Sequence, residues 1–207
     1  MDFSRLPYEV QFKYLMGLPY QEILRYCGTS LAALSICQTE DFWSRKAMND
    51  FGIDLRIIEG RDPVARYATL EQMYRQDPHR LILRLIAAGD LTAAPDLLRR
   101  IDPNEIDSIM YDALFRAVNT GSPEILQQVL NLFIVSLTRS PGGFNDSLRG
   151  PFFEAVMVNR LDLANLLRPY YDPDRDHSEE LLSWLEQWGH ERDPKTLESL
   201  AAAGVFP

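Results

Sequence analysis

A proline that follows a capping side chain recurs along this chain, at Asp62-Pro63, Asp77-Pro78, Asp102-Pro103, Ser122-Pro123 and Asp193-Pro194. Proline is tolerated at the first helical position because the N–H it lacks has no intrahelical partner there. The Asp or Ser before it accepts a hydrogen bond from the following turn. Each pair therefore marks a helix start, and each is followed by sequence of helical period. Leu6-Pro7 is the same device without the capping side chain. The period is clearest from Asn104 to Val118, where Ile106, Ile109, Met110, Ala113, Leu114, Ala117 and Val118 fall on one face. Glu105, Asp107, Asp112 and Arg116 fall opposite. No stretch alternates with a period of two between turn residues, so the chain is predicted to be all-α, with no sheet.

The helices come in related pairs. Aligning Gly89 with Gly121 places Leu85-Ile86 on Ala117-Val118, Ala93 on Ile125, and Leu97-Leu98 on Val129-Leu130, an offset of 32. A third copy, offset by 38, places Ala155-Val156, Asn159, Leu163 and Leu167 on the same positions. Its six extra residues fit the loop Ser140–Asn145. A looser copy runs from Ser178 through Gly189 to Gly204. The unit is an apolar helix, a Gly or Asn in a left-handed turn, and a second apolar helix. One such hairpin cannot bury both faces, so neighbours must stack. Pro95 lies early in a second helix; a cap at Thr92 would place it at the third position, at little cost.

Composition narrows the function. Hydrophobic residues form 46% of the 207, enough for a core, and the net charge of −9 opposes a nucleic-acid surface. The pair Arg99-Arg100 is too short to reverse that. The amino end carries Asp2, Arg5, Glu9 and Lys13, which interrupt any leader, and no apolar run reaches the ~18 residues of a membrane span. The expectation is a soluble, cytoplasmic protein with no membrane partner. Cys27 and Cys37 occupy apolar helical positions and read as small buried hydrophobes rather than as a disulfide.

The first fifty residues have their own layout: Leu6-Pro7 with Glu9 and Val10, then Leu15, Leu18-Pro19, Ile23-Leu24, Ile36-Cys37 and Phe42-Trp43. This resembles the F-box, a three-helix module. The resemblance implies docking on the small adaptor subunit of cullin–RING ubiquitin ligases. It implies Leu6, Pro7, Leu15, Pro19, Ile23 and Leu24 as contacts, while Leu18 and Trp43 read as core. Many F-boxes have a basic residue and a Trp after the third-helix Cys; here Gln38-Thr39-Glu40 follows. Tyr8, Phe12, Tyr14, Tyr20 and Tyr26 add aromatics of the kind enriched at interfaces. Apolar side chains left over after three small helices pack would form an exposed patch, which marks a partner site.

The hairpins resemble ankyrin repeats, most closely from Ile86 to Leu98, although the Thr-Pro-Leu-His opening of that family is missing. The whole layout is similar to F-box/ankyrin proteins of large DNA viruses that infect amoebae, which would place it in host cytoplasm. The expected parts are an F-box-like module over 1–53, a connecting helix within 54–76, running from Pro63 to about Arg75, and ankyrin-like repeats over 77–207.

Catalytic and metal signals are missing from the sequence. His79, His177 and His190 have no ligand spacing, and His79 reads as a first-turn surface residue. The run Asp172 to Asp176 starts like a calcium loop but has His177 at the sixth position and Ser183 at the twelfth. Gly142-Gly143 lacks a following Lys-Ser/Thr. Trp184 and Trp188 read as core or as the cover of the array. No cofactor, metal or catalytic residue is expected. The expected function is a substrate receptor that docks a ligase adaptor and holds a target protein on the repeats. The alternative is a scaffold in which the N-terminal helices only cap the array.

Overall fold

The structure is a computed structural model and describes residues 5–139, 143–158 and 160–170. Every regular element among these residues is a helix. The chain divides into two compact units, Met1–Arg84 and Leu85–Pro207. The helix at Pro194, the calcium-like loop, His177, His190, Trp184, Trp188, Asn159, Gly142 and the last repeat copy lie outside the described residues.

The first unit opens with α1 (Tyr8–Met16), α2 (Tyr20–Thr29), α3 (Leu31–Cys37) and α4 (Glu40–Phe51). Three helices were expected over this stretch and four form. The reason is capping. Ser30 turns extended (φ −131°, ψ 121°), and its hydroxyl accepts from Ala33 N–H at 3.3 Å, which ends α2 and starts α3. Thr39 accepts from Phe42 N–H at 3.4 Å and starts α4. The departure from the F-box pattern at Gln38-Thr39-Glu40 is thus a helix cap. Pro7 and Pro19 stand before α1 and α2 with no side-chain cap.

A 3-10 turn (Leu55–Ile57) and α5 (Pro63–Gln76) pack on α4. Asp62 caps α5 through Val64 N–H at 3.0 Å. The core here is aromatic. Trp43 lies 5.1 Å from Phe42, 5.8 Å from Tyr20 and 5.0 Å from Tyr67, ring centre to ring centre. Phe51 extends the cluster to Tyr67 at 5.6 Å and Tyr74 at 4.8 Å. Such pairs add about 0.5–1.5 kcal/mol each beyond burial. The Trp43 indole N–H donates to the Cys37 carbonyl at 2.7 Å, so the ring is both packed and satisfied.

The boundary between the units falls within α6 (Pro78–Ala88). Asp77 caps this helix through Arg80 N–H at 3.1 Å, and His79 is half-buried in its first turn. Then come α7 (Ala94–Leu98), a 3-10 turn (Pro103–Glu105), α8 (Ile106–Thr120), α9 (Pro123–Arg139), α10 (Gly143–Met157) and α11 (Leu161–Leu167). In the second unit α8 packs on α9 and α10, and α11 packs on α10 and α9. Of the expected periodic face of α8, Ile109, Met110, Ala113, Leu114, Ala117 and Val118 are buried and Ile106 is half-buried. Gly143, expected in a loop, begins α10.

Most aligned repeat positions behave alike, the exceptions being Leu98 and Ile125, which are half-buried where their counterparts are buried. Leu85-Ile86, Ala117-Val118 and Ala155-Val156 are all buried, as are Leu97, Val129 and Leu167. Gly89 and Gly121 take positive φ (74° and 71°), the left-handed turn the alignment requires. Asp90 N–H donates to the Leu85 carbonyl at 3.0 Å, and Arg160 N–H to the Ala155 carbonyl at 2.8 Å. These are equivalent bonds in the first and third copies. Pro95 sits at the second helical position of α7, not the third, because Asp90 rather than Thr92 organises the turn: its carboxylate accepts from Thr92 N–H at 3.1 Å.

Candidate docking site

The six expected contact residues separate into two groups. Leu15 and Ile23 are completely buried and belong to the core of the first unit. A partner could reach these two side chains only if the unit rearranged. Pro7, Pro19 and Leu24 are exposed, and Leu6 is half-buried. Ile23 and Leu24 are neighbours in α2, about 100° apart around the helix, so one faces in and the other out. Leu18 is half-buried and Trp43 fully buried.

Further large apolar side chains of this unit are exposed. Tyr8, Val10 and Tyr14 face solvent on α1, Leu31 and Leu34 on α3, and Met48 on α4. Leu31 is 86% exposed in the first turn of α3, where nothing in the fold requires a leucine. Among the described residues of the second unit the exposed large apolar ones are Tyr111, Ile134 and Val158. Phe12, Tyr20 and Tyr26 are half-buried, so of the five aromatics expected at an interface Tyr8 and Tyr14 are the exposed ones. The Tyr14 and Tyr26 hydroxyls lie 2.9 Å apart, and this hydrogen bond holds Tyr14 above the ordinary phenol range.

Polar bonds keep this thin module in shape. The buried Lys46 ammonium donates to the Met16 carbonyl at 2.9 Å and pairs with Asp50 at 2.7 Å. It thereby satisfies the end of α1 from α4. The Tyr67 hydroxyl donates to the same Asp50 carboxylate, and burial followed by that bond pushes the phenol far above its usual range. Arg66, buried on α5, pairs with the exposed Glu40 that opens α4.

The cysteines overturn the sequence expectation. Cys27 and Cys37 are buried as expected, but they are joined to one another in a disulfide, with Cα atoms 6.3 Å apart. Capping at Ser30 folds α3 back on α2 and brings the two positions together. Beside them is a groove of about 310 Å³ lined by Leu24, Cys27, Leu34, Cys37, Trp43 and Val64, among others. Nothing in the spacing of the two residues could have announced this, because pairing depends on how α2 and α3 meet.

Among the described residues no group of three or more His, Cys, Asp or Glu side chains is placed to hold a metal ion. Among them, too, no helix is long and apolar enough to cross a membrane. No protein-family model, curated protein or solved structure matches the chain.

Proposed function

We propose that the chain is a protein-interaction adaptor: a substrate receptor whose first unit docks the adaptor subunit of a cullin–RING ubiquitin ligase and whose helical hairpins hold a target. The reading combines the F-box-like layout of the first fifty residues with the ankyrin-like register of the hairpins. The observation that carries it is the apolar surface of α1 to α3, where Pro7, Tyr8, Val10, Leu24, Leu31 and Leu34 face solvent. Exposed apolar side chains are what a protein partner would cover. Ubiquitin transfer would then come from the ligase, and this chain would contribute proximity.

A pulldown of the full chain with the purified ligase adaptor tests the reading. The wild type is expected to bind, and Pro7→Ala combined with Leu24→Asp to lose at least about tenfold in affinity, about 1.4 kcal/mol. Both positions are exposed, so the variant should keep the helical circular dichroism of the wild type. Failure of the folded wild type to bind would withdraw the receptor reading.

A further inference from the structure

The disulfide is not required by the docking just proposed, and its position suggests a second role. Cys27 and Cys37 are the only cysteines in the chain and both are consumed by this bond. Their Cα separation of 6.3 Å lies within the range a disulfide spans without moving the backbone. Leu24 precedes Cys27 by three residues on α2, and Leu34 precedes Cys37 by three on α3. Each leucine therefore shares a helix face with its cysteine. All four side chains line the same groove, and both leucines are 36% exposed. An incoming thiolate would approach the sulfurs from this groove, which both cysteines line. A single residue, Ser30, connects the two helices, so the bond closes a short hairpin.

We propose that Cys27–Cys37 is a reversible redox clamp on the α2–α3 hairpin, opened by a dithiol reductant and closed by a disulfide oxidant, whose state sets the shape of the apolar groove. In opening, a thiolate of the reductant attacks one sulfur and the Cys27–Cys37 bond breaks, leaving a mixed disulfide. The second thiol of the reductant then displaces the protein sulfur. The two cysteines gain two electrons and two protons, and the reductant leaves as its own disulfide. Closure is the reverse exchange with a disulfide oxidant. Opening removes the covalent tie between the exposed leucines, so Leu24 and Leu34 are no longer held at a fixed spacing. The consequence for partner affinity rests on the docking reading above; the clamp itself does not.

Hydrogen exchange of the full chain, read by mass spectrometry in reduced and oxidised dithiothreitol, tests the proposal. Reduction is expected to speed exchange across 20–37 by at least about tenfold while α4 and α5 change by less than about twofold. Thiol titration should find both cysteines free in the reduced buffer and neither in the oxidised one. The double variant Cys27→Ser, Cys37→Ser should exchange like the reduced chain in both buffers. Equal exchange in the two buffers, a change spread evenly through α4 and α5, or thiols that stay titratable under oxidation would each overturn the clamp. The adaptor pulldown repeated in both buffers keeps the two ideas apart. If neither state binds while exchange still responds, docking falls and the clamp stands.

Discussion

At the scale of residues, the first unit depends on a few buried polar groups. Tyr67 is almost fully buried, at 1% exposure, and donates to Asp50, which also pairs with Lys46. A phenol held above its ordinary pKa in the folded state resists ionising, while the unfolded chain ionises near pH 10. The folded state then binds more protons than the unfolded one, so stability falls as pH rises above about 10, by up to about 1.4 kcal/mol per pH unit. Below that pH the contribution is fully present. Urea melts of wild type and Tyr67→Phe at pH 9 and pH 11 check this. The wild type should lose more stability than the variant between the two, whatever their difference at pH 9. What layout could not supply at this scale is exposure: of the six expected contacts Pro7, Pro19 and Leu24 are exposed while Leu15 and Ile23 are buried. A two-faced helix does not say which apolar side chain turns inward until its neighbours are placed.

At the scale of elements, helix starts were the most legible feature, because a cap and its proline act within one turn. Asp62, Asp77, Asp102 and Ser122 each accept the bond expected of them, and α5 ends within a residue of its expected limit. The separate helix α4 was not expected, because Thr39, which starts it, is a cap without a proline beside it. The turn glycines were read correctly for a local reason as well: an L side chain is strained at positive φ. At Gly89, with φ 74°, an added Cβ would also lie 3.3 Å from Ile125. Gly89→Ala is expected to cost about 1–2 kcal/mol, read from the denaturant midpoint at unchanged slope. The pairing of Cys27 with Cys37 is where element-scale reading stops. Two apolar-position cysteines ten residues apart look alike whether or not their helices fold back on one another.

At the scale of the molecule, two compact units imply that unfolding is not a single event. The disulfide lies in the first unit alone, and closing a loop of that length is worth about 3 kcal/mol in the chain-entropy account. Reduction should therefore lower one of two denaturation transitions and leave the other in place, as followed by circular dichroism in urea with and without reductant. A single transition shifting as a whole would count against this. The hairpins carry a different lesson. The turn after α6 is built from Gly89-Asp90 and its third-copy counterpart ends in Arg160, yet both close with the same amide-to-carbonyl bond. The shape of such a turn is held by the peptide framework rather than by particular side chains, so a substitution at an outward position there can leave the closing bond in place.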